Sequence, residues 1–293
     1  MEPSLGIIGA GKVGGALARL FYQANYRIAG VYSRTPHHAE TLATLVGSNS
    51  YSSLQAVSER ADLTLLTVPD DAIESMVREL LNVDWMGKGV IHTSGAVGAN
   101  VLSPLMERGA MIGSLHPAFP FTDAEIVVAN FSGATFAVET ESSELRNWLE
   151  SMVHTLDGHV LNILPGAKAL YHAALVLVSN YTVTLYAAAE KLLTDMGAER
   201  TAVDLALNAL LSATVENLRQ KGIPDALTGP LVRGDVGTIA THIDALHRID
   251  DTLLDTYKQL ARLSFPILTA RNISTEAIER LLKQENNDAT HDS

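Results

Sequence analysis

Leu5-Gly6-Ile7-Ile8-Gly9-Ala10-Gly11-Lys12-Val13-Gly14 is the stretch on which the fold turns. The apolar run Leu5 to Ile8 reads as a buried strand, and the apolar spacing from Val13 to Gln23 reads as the helix that follows it. Between them stand glycines at 9, 11 and 14. Gly9 permits a tight turn, Gly11 lets the backbone approach a pyrophosphate, and Gly14 lets the helix pack closely on the strand. Ala10, Lys12 and Val13 complete a turn whose amide groups, at a helix amino terminus, attract phosphate charge. Strand, glycine spacing and helix in that order predict a dinucleotide-binding unit. The plainer alternative is a glycine-rich turn in an α/β domain that has lost its site.

Outward from this motif, short β-branched runs alternate with helical patterns. Arg27 to Tyr32, Leu63 to Val68, Val90 to His92, Ile112 to Leu115, Thr135 to Val138 and Val160 to Ile163 read as further strands. Pro36 to Val46, Asp71 to Leu81 and Val101 to Arg108 read as helices between the early ones. The rhythm predicts an α/β doubly wound, mostly parallel sheet with helices on both faces. After Pro165-Gly166 only long helical patterns remain: Ala167 to Met196, Arg200 to Lys221, Gly237 to His247, Asp250 to Leu263 and Thr275 to Gln284. The expected organisation is a Rossmann domain over 1–164, an all-α domain over 165–284, and a polar tail over 285–293 that frays.

Composition narrows the function. The chain has 293 residues, 47% hydrophobic and 18% charged, which supplies ample core and excludes a mainly disordered chain. A net charge of −12 opposes nucleic-acid binding by phosphate neutralisation. Cysteine is absent, so thiolate chemistry and disulfides are excluded. The ten histidines are scattered without metal-ligand spacing, so no metal site is expected. Met1 to Ile8 shows no signal-peptide pattern, and a cytoplasmic protein is expected. Ala169 to Ala189 has the length of a membrane span, but His172, Ser179, Asn180, Thr182 and Thr184 interrupt it. A buried helix, inside a domain or at a subunit interface, is the expectation, with no membrane contact.

The end of the second strand discriminates between dinucleotides. An acidic residue there holds the ribose hydroxyls of NAD, whereas this chain has Tyr32-Ser33-Arg34-Thr35. The Ser33 hydroxyl and Arg34 guanidinium suit a 2′-phosphate, so NADP(H) is the expected cofactor. His37 and His38 read as exposed loop residues beside it. Val68-Pro69 ends the third strand where its backbone faces the nicotinamide side, and Asp70 or Asp71 is expected to cap the next helix.

Four further blocks carry candidate chemistry. His92-Thr93-Ser94-Gly95 ends a strand at the same edge of the sheet; Ser94 is either a donor to a substrate carboxylate or part of an ordinary strand-to-turn ending. Ser114 to Phe121 reads as a rigid loop after a strand, with His116 its titratable group. On the long helix, with Lys168 at zero, His172 falls at about 40°, Ser179 at about 20°, Thr182 at about −40° and Tyr186 near 0°. That polar stripe places Lys168 and His172 side by side as proton donors for a carbonyl, or else satisfies a dimer interface. Asn180 lies about 120° from Lys168 and needs a bend to join it. In Ala226-Leu227-Thr228-Gly229-Pro230-Leu231-Val232-Arg233-Gly234-Asp235, Thr228 and Arg233 suit a substrate carboxylate. An Arg233–Asp235 ion pair with Asp235 as helix cap is the structural reading of the same residues.

Together these blocks resemble a bacterial Rossmann-like family with a carboxyl-terminal domain of unknown function, over most of the chain from Leu5 to about Leu263. Ala226 to Asp235 is the most specific element of the resemblance. The resemblance implies reduction of a small 2-oxo acid, since some members act as alternative ketopantoate reductases in pantothenate synthesis. More distantly the layout is similar to that of 3-hydroxyisobutyrate dehydrogenases and pyrroline-5-carboxylate reductases, which implies a homodimer through the helical domain and keeps an imine substrate open. A non-catalytic NADP-binding sensor is the reading from outside enzymology. The resemblance to the hydroxyisobutyrate and ketopantoate enzymes implies that Lys168 is the catalytic acid. Their asparagine four residues later is His172 here, and Ser94, His116, Asn180, Thr228, Arg233 and Asp235 are left as substrate-side candidates.

Overall fold

In the computed structural model, which describes residues 2–121, 125, 128–129, 131 and 133–283, the chain divides into two units, Met1–Asn180 and Tyr181–Ser293. The frayed tail expected over 285–293 lies outside the described residues. The first unit is built on seven strands: β1 (Leu5–Ile8), β2 (Ile28–Tyr32), β3 (Leu63–Leu66), β4 (Gly89–His92), β5 (Met111–Pro117), β6 (Thr135–Glu139) and β7 (His159–Asn162). They form one sheet in the order β2-β1-β3-β4-β5-β6-β7. β1 to β5 are parallel; β6 runs antiparallel to β5, and β7 is parallel to β6. All four residues of β1, β3 and β4 are buried, as continuous apolar strands covered on both faces must be. Because β1 lies between β2 and β3, successive crossovers leave it in opposite directions. This switch point opens a crevice beyond the carboxyl ends of β1 and β3.

Several elements differ from the sequence expectation. β5 continues to Pro117, because His116 and Pro117 pair with Ala137 and Phe136 of β6, so the expected rigid loop begins as a strand. Among the described residues of the first unit, the helices Leu54–Arg60 and Ser143–Thr155 join those read from the sequence. Leu54–Arg60 is capped by Ser53, whose hydroxyl accepts from Ala56 N–H. Ser143–Thr155 is capped by Ser142 and buries Leu145, Leu149, Met152 and Val153, an i, i+4, i+7, i+8 stripe. The expected helix Val101 to Arg108 is a 3₁₀ turn, Ala99–Leu102, followed by the short helix Ser103–Met106. Pro104 at its start fits because that position has no amide partner to lose.

The long helix expected from Ala167 to Met196 is two helices, Lys168–Val178 and Asn180–Asp195, separated at Ser179 with ψ −71°. The separation interrupts the single-helix projection on which the stripe through Ser179, Thr182 and Tyr186 rested. The expected burial of this segment is also absent within one chain, since Leu170, Leu177, Val178 and Val183 are exposed. Among the described residues no helix is long and apolar enough to cross a membrane.

The second unit is helical and gathers its core from Val236–His247, Asp251–Leu263, Phe265–Ala270 and Glu276–Lys283 around Ile239, Ile243, Leu254, Leu268, Ile278 and Leu282. Asp235 and Asp250 cap the first two of these helices through Thr238 and Leu253 N–H. Helix Arg200–Lys221, by contrast, buries Val203 alone.

Candidate active site

The glycine loop lies at the switch point. Gly9 has φ +110°, a region costly for any residue with a side chain, and a Cβ there would stand 2.5 Å from Thr67 O. A Cβ on Gly14 would stand 2.0 Å from Gly9 O, so helix Lys12–Gln23 reaches the strand only because Gly14 has no side chain. Thr67 locks the turn by donating its hydroxyl to Gly9 O at 2.7 Å and Ile8 O at 3.1 Å. Above Gly11, by contrast, the space where a Cβ would point is open to 4 Å. A cleft of about 320 Å³ runs from this loop over Ser33, Arg34 and His38 to Val68 and Pro69. It fits the pyrophosphate, ribose and adenosine-side phosphate of a dinucleotide. Pro69, not Asp70 or Asp71, stands at the cap of helix Asp70–Glu79; the two acids occupy its first turn, where the helix dipole favours them. Lys12 and Val13 begin helix Lys12–Gln23 without lining this cleft.

Four polar side chains meet beyond the carboxyl end of β4. Lys168, 2% exposed, donates from Nζ to Ser94 O at 2.7 Å, and its Nζ stands 5.7 Å from the Tyr171 ring centre. His116 Nδ1 and Tyr171 Oη are 2.9 Å apart, and the His116 and His172 rings meet edge to face at 6.3 Å. Gly95 makes room for both: a Cβ there would be 2.8 Å from His116 Nε2 and 2.9 Å from His172 Cδ2. Thus Lys168, Tyr171 and His172, within little more than one helical turn, face the strand ends that carry Ser94 and His116.

Burial sets the protonation of this cluster. It lowers Lys168 to about 8, against the opposing fields of Glu139 and Asp70. Burial, and then the Lys168 charge, push His116 down to about 4, while burial raises the Tyr171 phenol to about 12. His92 is lowered by burial to about 4 and is therefore neutral at pH 7. Its tautomer follows from its partners: Ser94 N–H donates to Nδ1 at 3.2 Å, so the proton sits on Nε2 and is donated to Gly98 O at 3.2 Å. Lys168 is thus a cation at pH 7, with one ammonium proton fixed on Ser94 O.

The other expected residues distribute as follows. Ser94 is 7% exposed and its hydroxyl accepts from Ala96 and Val97 N–H, which folds the loop rather than reaching outward; its carbonyl is what touches Lys168. Asn180 begins the helix after the Ser179 break. Thr228, Arg233 and Asp235 belong to the second unit. There Asp235 accepts from Thr238 N–H at 3.0 Å and Thr238 Oγ1 at 2.7 Å and stands 3.9 Å from Arg233, the structural arrangement of that pair. Tyr171 and the buried Glu139 were not singled out in the sequence. The signal for Tyr171 was its place three residues after Lys168, on the same helical face.

Residues 2–117 match the model of a Rossmann-like domain, and residues 134–264 match that of a domain of unknown function, DUF2520. The chain therefore belongs to the Rossmann-like proteins that carry this carboxyl-terminal domain. A protein of Bacteroides fragilis described as an NADP oxidoreductase has a similar structure, with 26% identity, TM-score 0.71, and coverage of 89% of this chain and 96% of that one. A Thermotoga maritima protein, TM1727, shares the fold at 20% identity and TM-score 0.74, over 92% and 99%. So does an imine reductase of a Pseudomonas species, at 17% identity and TM-score 0.63, over 91% and 94%. No curated protein matches the sequence.

Proposed function

We propose that this protein is an NADPH-dependent reductase of a small 2-oxo acid, with ketopantoate, and hence pantothenate synthesis, as the leading assignment. The observation that carries the reading is a buried lysine held at the carboxyl edge of a Rossmann sheet, beside the crevice of a glycine loop built for a dinucleotide. The similar NADP oxidoreductase of Bacteroides fragilis supports the cofactor class, and Ser33 with Arg34 supports the 2′-phosphate form.

When bound, the cofactor supplies the hydride; the chain must supply a proton to the carbonyl oxygen and shelter the reaction. Lys168 carries that proton at neutral pH, since its value near 8 keeps it charged while making release easier than from a free lysine. Ser94 O fixes the direction of Nζ. As the carbonyl oxygen becomes a hydroxyl, one N–H bond of Lys168 breaks and one O–H bond forms, and the neutral amine is reprotonated from solvent. His116 and Tyr171, hydrogen bonded to each other and both uncharged at neutral pH, form a wall that the His172 ring meets edge to face. The helical domain, placed at 165–284, carries a homodimer contact, supported by the apolar residues that helix Arg200–Lys221 leaves exposed.

The test is NADPH oxidation across a panel of 2-oxo acids and cyclic imines. Turnover of ketopantoate or a close 2-oxo acid is expected. Turnover of imines alone would replace the substrate class, and tight NADPH binding without oxidation would replace the enzyme by a sensor.

A further inference from the structure

A second cavity, of about 580 Å³, lies where the start of β5 and the end of β6 meet the short helix Ser103–Met106, and it shares no lining residue with the cofactor cleft. Met106, Ala110, Met111 and Ile112 give it an apolar wall. Into this wall is set a carboxylate, Glu139, only 4% exposed. Its Oε2 accepts from Ala99 N–H at 2.9 Å and from Ser114 Oγ at 3.4 Å. Oε1 takes no hydrogen bond from any described residue. Glu139 lines the cavity, and Oε1, which is not shut off from solvent, is the oxygen that a donor carried by a ligand can reach.

The chemistry of that ligand is constrained. Among the described residues no group of three or more His, Cys, Asp or Glu gathers, so a metal ion would lack its ligand set. Glu141, exposed at the lining, adds negative charge and disfavours an anion. The amino end of helix Ser143–Thr155 reaches the cavity at Ser142, but Ser142 Oγ caps Leu145 N–H and Glu144 occupies the first turn, so no open positive end remains there. The volume suits a small organic molecule, and the two methionines suit an aromatic body.

We propose that this cavity binds a primary ammonium ion carried on an apolar arylalkyl body, with the ammonium donating to Glu139 Oε1. Because the Glu139 charge also acts on Lys168, the test is a binding measurement that needs neither NADPH nor turnover. Calorimetric titration of the full chain with 2-phenylethylammonium, 2-phenylethanol and 3-phenylpropanoate reads it directly. The ammonium is expected to saturate one site per chain at least about tenfold more tightly than the alcohol, with no binding of the carboxylate. Glu139→Gln should weaken the ammonium by about tenfold or more, provided its melting transition remains cooperative. Met106→Trp, at a half-exposed rim position, should fill the cavity and weaken binding with Glu139 intact. Equal affinity for ammonium and alcohol, binding of the carboxylate, no saturable binding, or unchanged affinity in Met106→Trp would each overturn the proposal.

Discussion

In the proposed reading, Lys168 is placed for reaction at the expense of stability. A charged ammonium buried to 2% exposure loses hydration that one carbonyl contact and the fields of Glu139 and Asp70 do not fully restore, so its value falls from 10.5 to about 8. Because the unfolded chain binds this proton up to 10.5 and the folded chain only to about 8, stability attributable to Lys168 rises with pH across that window and is missing below it. Lys168→Met should therefore raise stability at pH 7 by about 1 to 2 kcal/mol in urea unfolding, while lowering kcat/KM by about 100-fold or more. In the native enzyme, log kcat/KM for reduction should fall with slope −1 above pH about 8; a flat profile to pH 10 would remove Lys168 as the acid. His92 and His116 behave in the same direction at acid pH. Both sit near 4 when folded against 6.5 when unfolded, so their contribution is complete above 6.5 and is lost as pH falls toward 4. For His92 that loss is about 3 kcal/mol, and urea midpoints measured from pH 7 to 4 should decline less steeply in His92→Gln than in wild type.

At the scale of elements, the glycine loop was legible because its constraint is local: turn, strand and helix are consecutive, Gly9 and Gly14 answer to a neighbour within the motif or to Thr67, and Gly11 leaves the space above it open. Gly14→Ala puts a methyl group 2.0 Å from Gly9 O, backbone against backbone, and neither side can yield without opening the turn. It should cost about 2 to 4 kcal/mol of stability and raise KM for NADPH by about 100-fold, measured by urea unfolding and steady-state titration. The break at Ser179 was not legible. Helical periodicity continues through Val178 and Asn180 without proline or glycine, so a single-chain pattern gives no reason to stop there. The helix Ser143–Thr155 was legible in principle, since Ser142 and the buried stripe Leu145, Leu149, Met152 and Val153 stand in the sequence. Lys168 with His172 could be paired from spacing alone, but their meeting with His116 and Gly95 joins segments more than fifty residues apart, which only the order of β4 and β5 in the sheet brings together.

The whole molecule shows an imbalance between its two halves of chain. The strand-bearing unit encloses two apolar clusters, one on each face of its sheet, whereas the helical unit encloses one and leaves its longest helix almost bare. Helix Arg200–Lys221 exposes Leu205, Leu210, Val215 and Leu218, each between 45% and 70%. The charge of −12 keeps such a chain in solution but does not cover these side chains. A second copy of the chain would cover them at once, and a self-complementary contact needs only the same helix on both partners. The outcome expected from light scattering after gel filtration is twice the chain mass, unchanged from high to low micromolar protein, as for an obligate apolar interface. Leu210→Arg with Leu218→Arg should convert it to one chain mass with the far-ultraviolet circular dichroism of the strand-bearing unit retained. A wild-type protein that runs as a monomer throughout that concentration range would refute the dimer and leave the bare helix without its proposed partner.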